Sequence, residues 1–230
     1  SCHDTMHSDT LEFDLSTMTT ATITTKTPSG NYPRGLADFG IAFHTSFAGN
    51  ARAIVYGGNK QLDNDDVIMT EEVYAIDMKT NKWFVYEASP DQNLTAVPGP
   101  RAMFGYTVYR SQMIIYGGAG VRDTTVWALD LNVFEWQAIN MPTSPIALMR
   151  PYLWTKIDDA GVSDMIYIGY GRTVALQPQV SSQMYFVDMT YNGQPFVGTN
   201  NFLSGTKMNT PNANGEVVFS DLKVTVADPN

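Results

Sequence analysis

The sequence has few of the residues that build disulfides, metal centres and catalytic dyads. Its 230 residues include one cysteine, Cys2, and three histidines, His3, His7 and His44. A single cysteine excludes an internal disulfide, and His44 is the one histidine placed within a strand-like segment where it could serve as a general base. A metal shared by Cys2, His3 and His7 would lack the four ligands that close a structural site. We therefore expect no catalytic set and no cofactor in this chain.

Basic charge and long apolar runs are also scarce. The formal net charge is −9, with 14 Lys and Arg against 23 Asp and Glu. Without a basic cluster the chain is not expected to bind nucleic acid, because a phosphate backbone would be repelled. No apolar run approaches the length of about 20 residues that spans a bilayer, so we expect no membrane insertion by this chain. The sequence also lacks a sustained helical period, which favours an all-β fold.

A short alternating strand that ends in aspartate recurs four times along the chain. The aspartates are Asp14, Asp77, Asp130 and Asp188. Recurrence at intervals of roughly 50 to 60 residues indicates a repeat architecture. An aspartate at a strand end can accept hydrogen bonds from the backbone two residues on, so each is expected to close a turn.

Glycine pairs and tryptophans recur with the aspartates. Gly57-Gly58 and Gly117-Gly118 each end an apolar strand, and Gly169-Tyr170 is a degraded copy. Glycine suits a strand end where the backbone needs positive φ or approaches another segment closely. Trp83 and Trp136 follow two of the aspartate turns and offer a large apolar area for packing one unit on the next.

An arginine before an apolar run completes the repeating pattern. Arg34, Arg101 and Arg150 each precede such a run. The unit then reads arginine, strand, strand ending in Gly-Gly, strand ending in Asp, turn, tryptophan and fourth strand. This order resembles the kelch repeat, whose units are four-stranded blades of a β-propeller.

The resemblance implies an all-β, kelch-type propeller with three full four-stranded blades and a partial first blade. Two repeats match well and the third is weaker, since Gln194-Pro195-Phe196 stands where its tryptophan is expected. The blades are assigned, within a propeller region 1–196, to 1–30 (partial), 33–96, 100–148 and 150–196.

The remaining residues, 197–230, are expected to form a loop followed by C-terminal strands. A hairpin of 216–219 and 222–226 could supply the strands that the first blade lacks and so close the ring. Alternatively the chain is a fragment of a larger propeller. Both possibilities are compatible with the sequence.

The segment 59–72 is the longest excursion between the second and third strands of a well-matched repeat. Asp63, Asp65 and Asp66 could present oxygens to a calcium ion, although a solvated acidic loop is the commoner explanation of such a cluster. Variable loops on a rigid scaffold commonly carry recognition, so these residues are also candidate partner contacts.

The third repeat has a comparable excursion at 172–183. Val174, Leu176 and Val180 are its apolar residues and are further candidate partner contacts. Asn93 begins an Asn-Leu-Thr sequon and is a candidate glycosylation site, which favours an extracellular or cell-surface protein without fixing the compartment.

These features favour a non-catalytic scaffold that binds a protein partner, or itself, through inter-strand loops. Two alternatives stay open. One is the propeller domain of an extracellular oxidoreductase resembling galactose oxidase, with its active residues outside this chain. The other is a structural subunit of a filament or surface assembly.

Overall fold

The computed structural model describes an all-β protein. No helix in the described residues has the length and hydropathy needed to cross a membrane. The structure describes residues 10–14, 22–26, 29–33, 35–46, 49–86, 89–90, 97–139, 146–157, 164–174, 179–189, 203–204 and 223–224.

Twenty-two short strands make up the described secondary structure. The first eleven are β1 (Thr10–Asp14), β2 (Thr22–Lys26), β3 (Ser29–Gly30), β4 (Leu36–Ala37), β5 (Gly40–Thr45), β6 (Ala51–Tyr56), β7 (Asn59–Gln61), β8 (Val67–Met69), β9 (Val73–Asp77), β10 (Lys82–Tyr86) and β11 (Ser89–Pro90). The others are β12 (Gly105–Tyr109), β13 (Gln112–Tyr116), β14 (Val126–Asp130), β15 (Glu135–Ile139), β16 (Leu148–Met149), β17 (Tyr152–Lys156), β18 (Met165–Gly169), β19 (Arg172–Thr173), β20 (Met184–Asp188), β21 (Leu203–Ser204) and β22 (Lys223–Val224).

Two five-stranded sheets reproduce the strand order expected from the repeats. The first sheet has the order β3-β10-β9-β6-β5 and the second β11-β15-β14-β13-β12. In each, four consecutive strands pair antiparallel, and a short segment from earlier in the chain pairs parallel with the fourth. That segment ties each sheet to the preceding part of the chain.

The third sheet contains β17, β18 and β20, again antiparallel. The segment expected to form its fourth strand lies outside the described residues. β1 and β2 form a separate antiparallel pair, as expected for the half repeat at 1–30.

The second sheet is packed on both faces because its strands are apolar at successive positions. Met113 and Ile115 belong to the core shared with the first sheet. Ile114 and Tyr116 belong to the core shared with the third sheet. Side chains at successive strand positions point to opposite faces, so the run 113–116 supplies both cores.

Trp136 shows the packing role expected of the repeated tryptophan. It is buried and meets the ring of Tyr56 in the first sheet edge-on, at 4.8 Å between centroids. Trp83 occupies the matching register in the first sheet, opposite Ile76 where Trp136 is opposite Leu129.

The three sheets come closest at their first strands. β12 contacts both β5 and β17. A Cβ added to Gly40 would lie 2.8 Å from the Phe104 ring, and one added to Gly105 would collide with the carbonyl oxygen of Pro151. Glycine is therefore required where β5 and β12 begin, since the next sheet leaves no room for a side chain, whereas β17 begins with Tyr152.

The C-terminal pairing differs from the expected hairpin. β22, which lies in the expected strand 222–226, pairs antiparallel with β21. β21 falls in the first part of 197–230, which was expected to be a loop. Residues 216–219 lie outside the described part of the chain, so the predicted closure of the first blade stays a prediction.

Candidate functional site

The strands of the antiparallel sheets end on two unlike sides of the molecule. The second strands β6, β13 and β18 end on one side, where the first and third strands begin. We call this row of strand ends the glycine edge, as distinct from the outer strand of a sheet. The third strands end at the other edge with Asp77, Asp130 and Asp188, and we call this the turn edge.

Backbone conformation identifies the equivalent residues at the glycine edge. Gly57 and Gly58 have φ of +63° and +98°, and Gly117 and Gly118 have +69° and +107°. In the third sheet this pattern falls on Tyr170 (+59°) and Gly171 (+93°). The expected match of Gly169-Tyr170 to the glycine pairs was therefore wrong by one residue.

Hydrogen bonds confirm the shift. Gly57 N–H donates to the carbonyl of Glu72 at 3.2 Å, and Tyr170 N–H donates to that of Gln183 at 3.2 Å. Gly58 accepts from Thr70 N–H as Gly171 accepts from Ser181 N–H, both at 2.9 Å. Tyr170 thus takes the place of the first glycine and holds its positive φ with a side chain.

The arginine landmark does not mark one structural position. Gly58 N–H donates to the carbonyl of Arg101 at 2.8 Å, and Gly118 N–H donates to that of Leu148 at 2.8 Å. Leu148 therefore occupies in the third sheet the place of Arg101 in the second. The prediction that Arg150 corresponds to Arg101 was wrong, and Arg34 lies outside the described residues.

Arg150 instead corresponds to Asp38 and Met103. All three have positive φ, at 50°, 56° and 56° respectively. Met103 N–H donates to Asp38 at 3.1 Å, and Arg150 N–H donates to Met103 at 2.6 Å. These residues form a chain of backbone hydrogen bonds that links the three sheets where their first strands begin.

A shallow cavity opens beside that chain of hydrogen bonds. It encloses about 290 Å³ between the residues that lead into β5, β12 and β17. Arg150 Nη2 lies 3.6 Å from Asp38 Oδ1, and the Arg150 side chain is 66% exposed. An ion pair this exposed is screened by solvent and contributes little to stability. Both charges therefore remain accessible to a ligand.

An ion pair with a buried arginine stabilises the backbone of the glycine edge. Arg101 is fully buried, with Nη2 at 3.1 Å from Asp123 Oδ2 and Nη1 donating to the Gly117 carbonyl at 3.2 Å. Burial alone would raise the pKa of Asp123, but hydrogen bonds from Trp127, Thr125 and Arg101 outweigh it and lower the pKa. Arg101 also donates from Nε to the Gly99 carbonyl at 3.2 Å, so the arginine fixes two loop carbonyls and its role is structural.

The start of each third strand carries a motif that the repeat analysis missed. A side-chain oxygen accepts the backbone N–H two residues on, from Glu72 to Thr70, from Thr125 to Asp123 and from Gln183 to Ser181, at 3.1, 2.8 and 3.2 Å. The sequence signal was a Thr, Asp or Ser three residues before the third strand, the strand that ends in the repeated aspartate.

The excursion 59–72 is a hairpin rather than an irregular loop. β7 pairs with β8 and with β4, in the order β4-β7-β8. Lys60 Nζ lies 2.6 Å from Glu72 Oε2, which also accepts from Tyr74 at 2.5 Å. Burial alone would raise the pKa of Glu72, and these hydrogen bonds lower it on balance. The hairpin is thereby anchored to the third strand.

The three candidate calcium ligands lie at the exposed tip of this hairpin. Asp65 Oδ1 accepts from Gln61 at 3.2 Å, and Asp66 Oδ2 accepts from Asn64 at 2.6 Å. The part of the chain that the structure describes contains no group of three His, Cys, Asp or Glu residues arranged to hold a metal. Asp63, Asp65 and Asp66 are thus placed as accessible acidic side chains.

The excursion 172–183 also reaches the glycine edge. β19 pairs with β16, and Arg172 forms a further bridge with Val180. Val180 is 77% exposed, whereas Val174 is half-buried. Leu176 and the sequon residue Asn93 lie outside the described residues.

Large apolar side chains are exposed along the glycine edge and its excursions. They are Val67, Ile68, Met69, Ile146, Tyr152, Tyr170 and Val180. Exposed apolar side chains also occur at the turn edge, among them Met78, Val133 and Ile157, so exposure alone does not distinguish the two edges. The glycine edge differs in that Val67–Met69 are adjacent on one excursion, and a contiguous apolar patch is typical of an interaction surface.

The residues of the turn edge make structural hydrogen bonds. Asp77 Oδ1 accepts the N–H of Lys79 at 3.0 Å, and Asp130 Oδ1 accepts that of Asn132 at 2.7 Å, as the repeat predicted. His44 Nε2 lies 2.8 Å from Asn132 Oδ1, which joins the first sheet to a turn of the second. His44 is therefore a hydrogen-bonded strand residue.

No family model and no curated protein matches this sequence. Among solved structures the fold is similar to that of YjhT, with a TM-score of 0.60 at 11% sequence identity. The similarity covers 89% of this chain and 62% of the YjhT chain, so this chain spans less than two thirds of that protein. At this identity the likeness describes the fold alone.

Proposed function

We propose that this chain is part of a kelch-type β-propeller that acts as a non-catalytic protein-binding module, with the glycine edge as its binding face. The propeller is supported by three successive sheets that pack face to face and come closest at their first strands. Sheets arranged radially around an axis have this geometry.

The binding role is carried by one observation, the exposure of apolar side chains on excursions anchored to a rigid edge. Ile68 and Val180 are 44% and 77% exposed on two different excursions. The backbone beneath them is fixed by the buried Arg101–Asp123 pair and by hydrogen bonds between sheets. Recognition residues are commonly displayed on loops that a rigid scaffold positions.

Site-specific photo-crosslinking in the full-length protein tests this assignment. A photoreactive amino acid is placed at Ile68 or Val180 on the glycine edge, and at Val133 or Ile157 on the turn edge as matched exposed controls. We expect an extract of the source organism to give the same protein adduct at both glycine-edge positions and none at the controls. Adducts confined to the turn edge would contradict the proposal, and adducts to the chain itself would favour an assembly subunit.

A further inference from the structure

β8 is the outer strand of the small sheet β4-β7-β8, and its hydrogen-bond register leaves one side open. Leu62 N–H donates to Asp66 at 2.8 Å and Thr70 N–H donates to Gly58 at 2.9 Å, while Ile68 is opposite Lys60. Hydrogen-bonded and non-hydrogen-bonded pairs alternate in an antiparallel ladder. The N–H and C=O groups of Val67 and Met69 therefore point away from β7.

The described chain does not continue the sheet on that side. β10, the fourth strand of the first sheet, ends with Tyr86 opposite Val73. The next described segment, β11, pairs with β15 of the second sheet. The fourth strand therefore stops short of β8, and no described strand pairs with its outer side.

The side chains of β8 do not protect this edge. Val67, Ile68 and Met69 are 52%, 44% and 40% exposed. β8 is only three residues long, which limits uncontrolled pairing, but it carries neither the charge nor the proline with which proteins also guard an exposed edge. Its outward backbone groups leave room for one short extended peptide to add by β-augmentation.

The charge around β8 indicates which peptide would fit. Asp63, Asp65 and Asp66 are exposed at one end of the strand, and Glu71 is exposed at the other. The nearby cation Lys60 is paired with Glu72. An antiparallel β8–β8 contact between two copies would bring these acidic ends together, which disfavours a second copy of the chain.

We propose that β8 is the docking strand for an extended peptide that has apolar residues at its centre and basic residues on both sides. The peptide pairs with the outward N–H and C=O groups of Val67 and Met69, and its cations face the acidic ends of the hairpin. This inference specifies the partner chemistry of the binding role proposed above and rests on it.

Fluorescence anisotropy with a defined probe tests the docking strand. The probe is a labelled nine-residue peptide with a Thr-Val-Thr-Val-Thr centre and two lysines at each end. We expect saturable binding to the full-length protein at low salt, and at least tenfold weaker binding when glutamates replace the four lysines. The decisive variant is Val67→Pro, which removes an outward N–H and is expected to weaken binding at least tenfold.

The matched control is Val67→Thr, which keeps the N–H and the β-branched shape and is expected to bind within about twofold of the parent. Unchanged urea midpoints show that both variants are folded. Equal binding to Val67→Pro, no binding to the parent, or a probe-induced dimer of the chain would each overturn the inference. Crosslinking at Val180 that survives Val67→Pro would show that the proposed function stands while the docking strand is wrong.

Discussion

The two edges of the same sheets differ in what varies between repeats. At the turn edge, Asp77 and Asp130 make the same turn with the same hydrogen bonds. At the glycine edge the backbone frame repeats, but the excursions differ: 59–72 holds a hairpin, and 172–183 pairs β19 with β16. A repeated frame with variable additions separates the part that specifies the fold from the part available for recognition.

The setting of the exposed apolar residues follows the same division. At the turn edge Met78 and Val133 are exposed within the repeated aspartate turns, whereas Ile68 and Val180 are exposed on the variable excursions. The glycine edge also contains structural contacts, since the fully buried Arg101 pairs there with Asp123, whose side chain is 22% exposed. Variants that remove the Arg101–Asp123 pair should lower the free energy of unfolding. Variants that change only the exposed residues should weaken partner binding.

Loss of the buried ion pair is expected to have the largest effect on stability. Asp123→Ala leaves the fully buried Arg101 guanidinium without its counter-charge, which should lower the free energy of unfolding by about 3–5 kcal/mol. Arg150→Ala is the matched control at the same edge, and loss of its exposed pair with Asp38 should cost about 0–1 kcal/mol. Urea unfolding measures both, and equal effects would show that Arg101 is compensated without Asp123.

Substitutions at the positive-φ positions are expected to have the next largest effect on the free energy of unfolding. Gly117→Ala places a Cβ at φ +69° against the carbonyl oxygen of Leu148 and should cost about 1–3 kcal/mol. Tyr170→Gly, at the equivalent position, relieves the same backbone conformation and should cost less. Thermal and urea unfolding compare the two variants, and a tolerated Gly117→Ala would contradict the close approach of the Leu148 carbonyl to this position.

The turn edge should respond more weakly. Asp130→Ala removes the acceptor of the Asn132 N–H and should lower the free energy of unfolding by about 1 kcal/mol. Asp77→Ala should act in the same direction, because both aspartates close the same turn. Neither variant should change partner binding, and a loss of binding with intact folding would assign recognition to the turn edge.

Lowering the pH is expected to have the smallest effect on the stability of the fold. The folded protein lowers the pKa of Asp123 below its ordinary value of 3.8, and that of Glu72 below 4.5. Folding therefore favours both carboxylates, so their stabilisation is present above those values and is lost as pH falls through the lower folded-state pKa. The urea concentration at the unfolding midpoint should decrease when the pH is lowered below about 4. Glu72→Gln should make that decrease smaller. A midpoint that rises on acidification would contradict the sign.

The sequence predicted the sheets better than the edges. Alternating apolar residues, aspartate turns and Gly57-Gly58 set the strand order, because each depends on local backbone chemistry. The equivalence of Arg150 and Arg101 was wrong, because the two arginines lie at different distances from the first strand: Arg101 is four residues before Gly105, and Arg150 is two residues before Tyr152. The hydrogen bonds between sheets show which positions correspond. Tyr170 was matched to the second glycine of the pair instead of the first, since a side chain was not expected at that positive φ.

The candidate site was predicted only in part. The excursions 59–72 and 172–183 were recognised from their length, and the structure brings both to the glycine edge. The buried Arg101–Asp123 pair was not predicted, because nothing in the sequence shows that residues 22 positions apart meet inside the protein. The free side of β8 was also not predicted, since it depends on where β10 ends.

The most direct test of the central claim compares partner affinity at the two edges. Ile68→Asp and Val133→Asp each place one charge on an exposed apolar position, at the glycine edge and the turn edge respectively. With the partner captured by crosslinking, calorimetry should show at least tenfold weaker binding for Ile68→Asp and a change within about twofold for Val133→Asp, roughly a 1.4 kcal/mol distinction. Weaker binding of Val133→Asp with unchanged binding of Ile68→Asp would contradict the assignment of the glycine edge as the recognition surface.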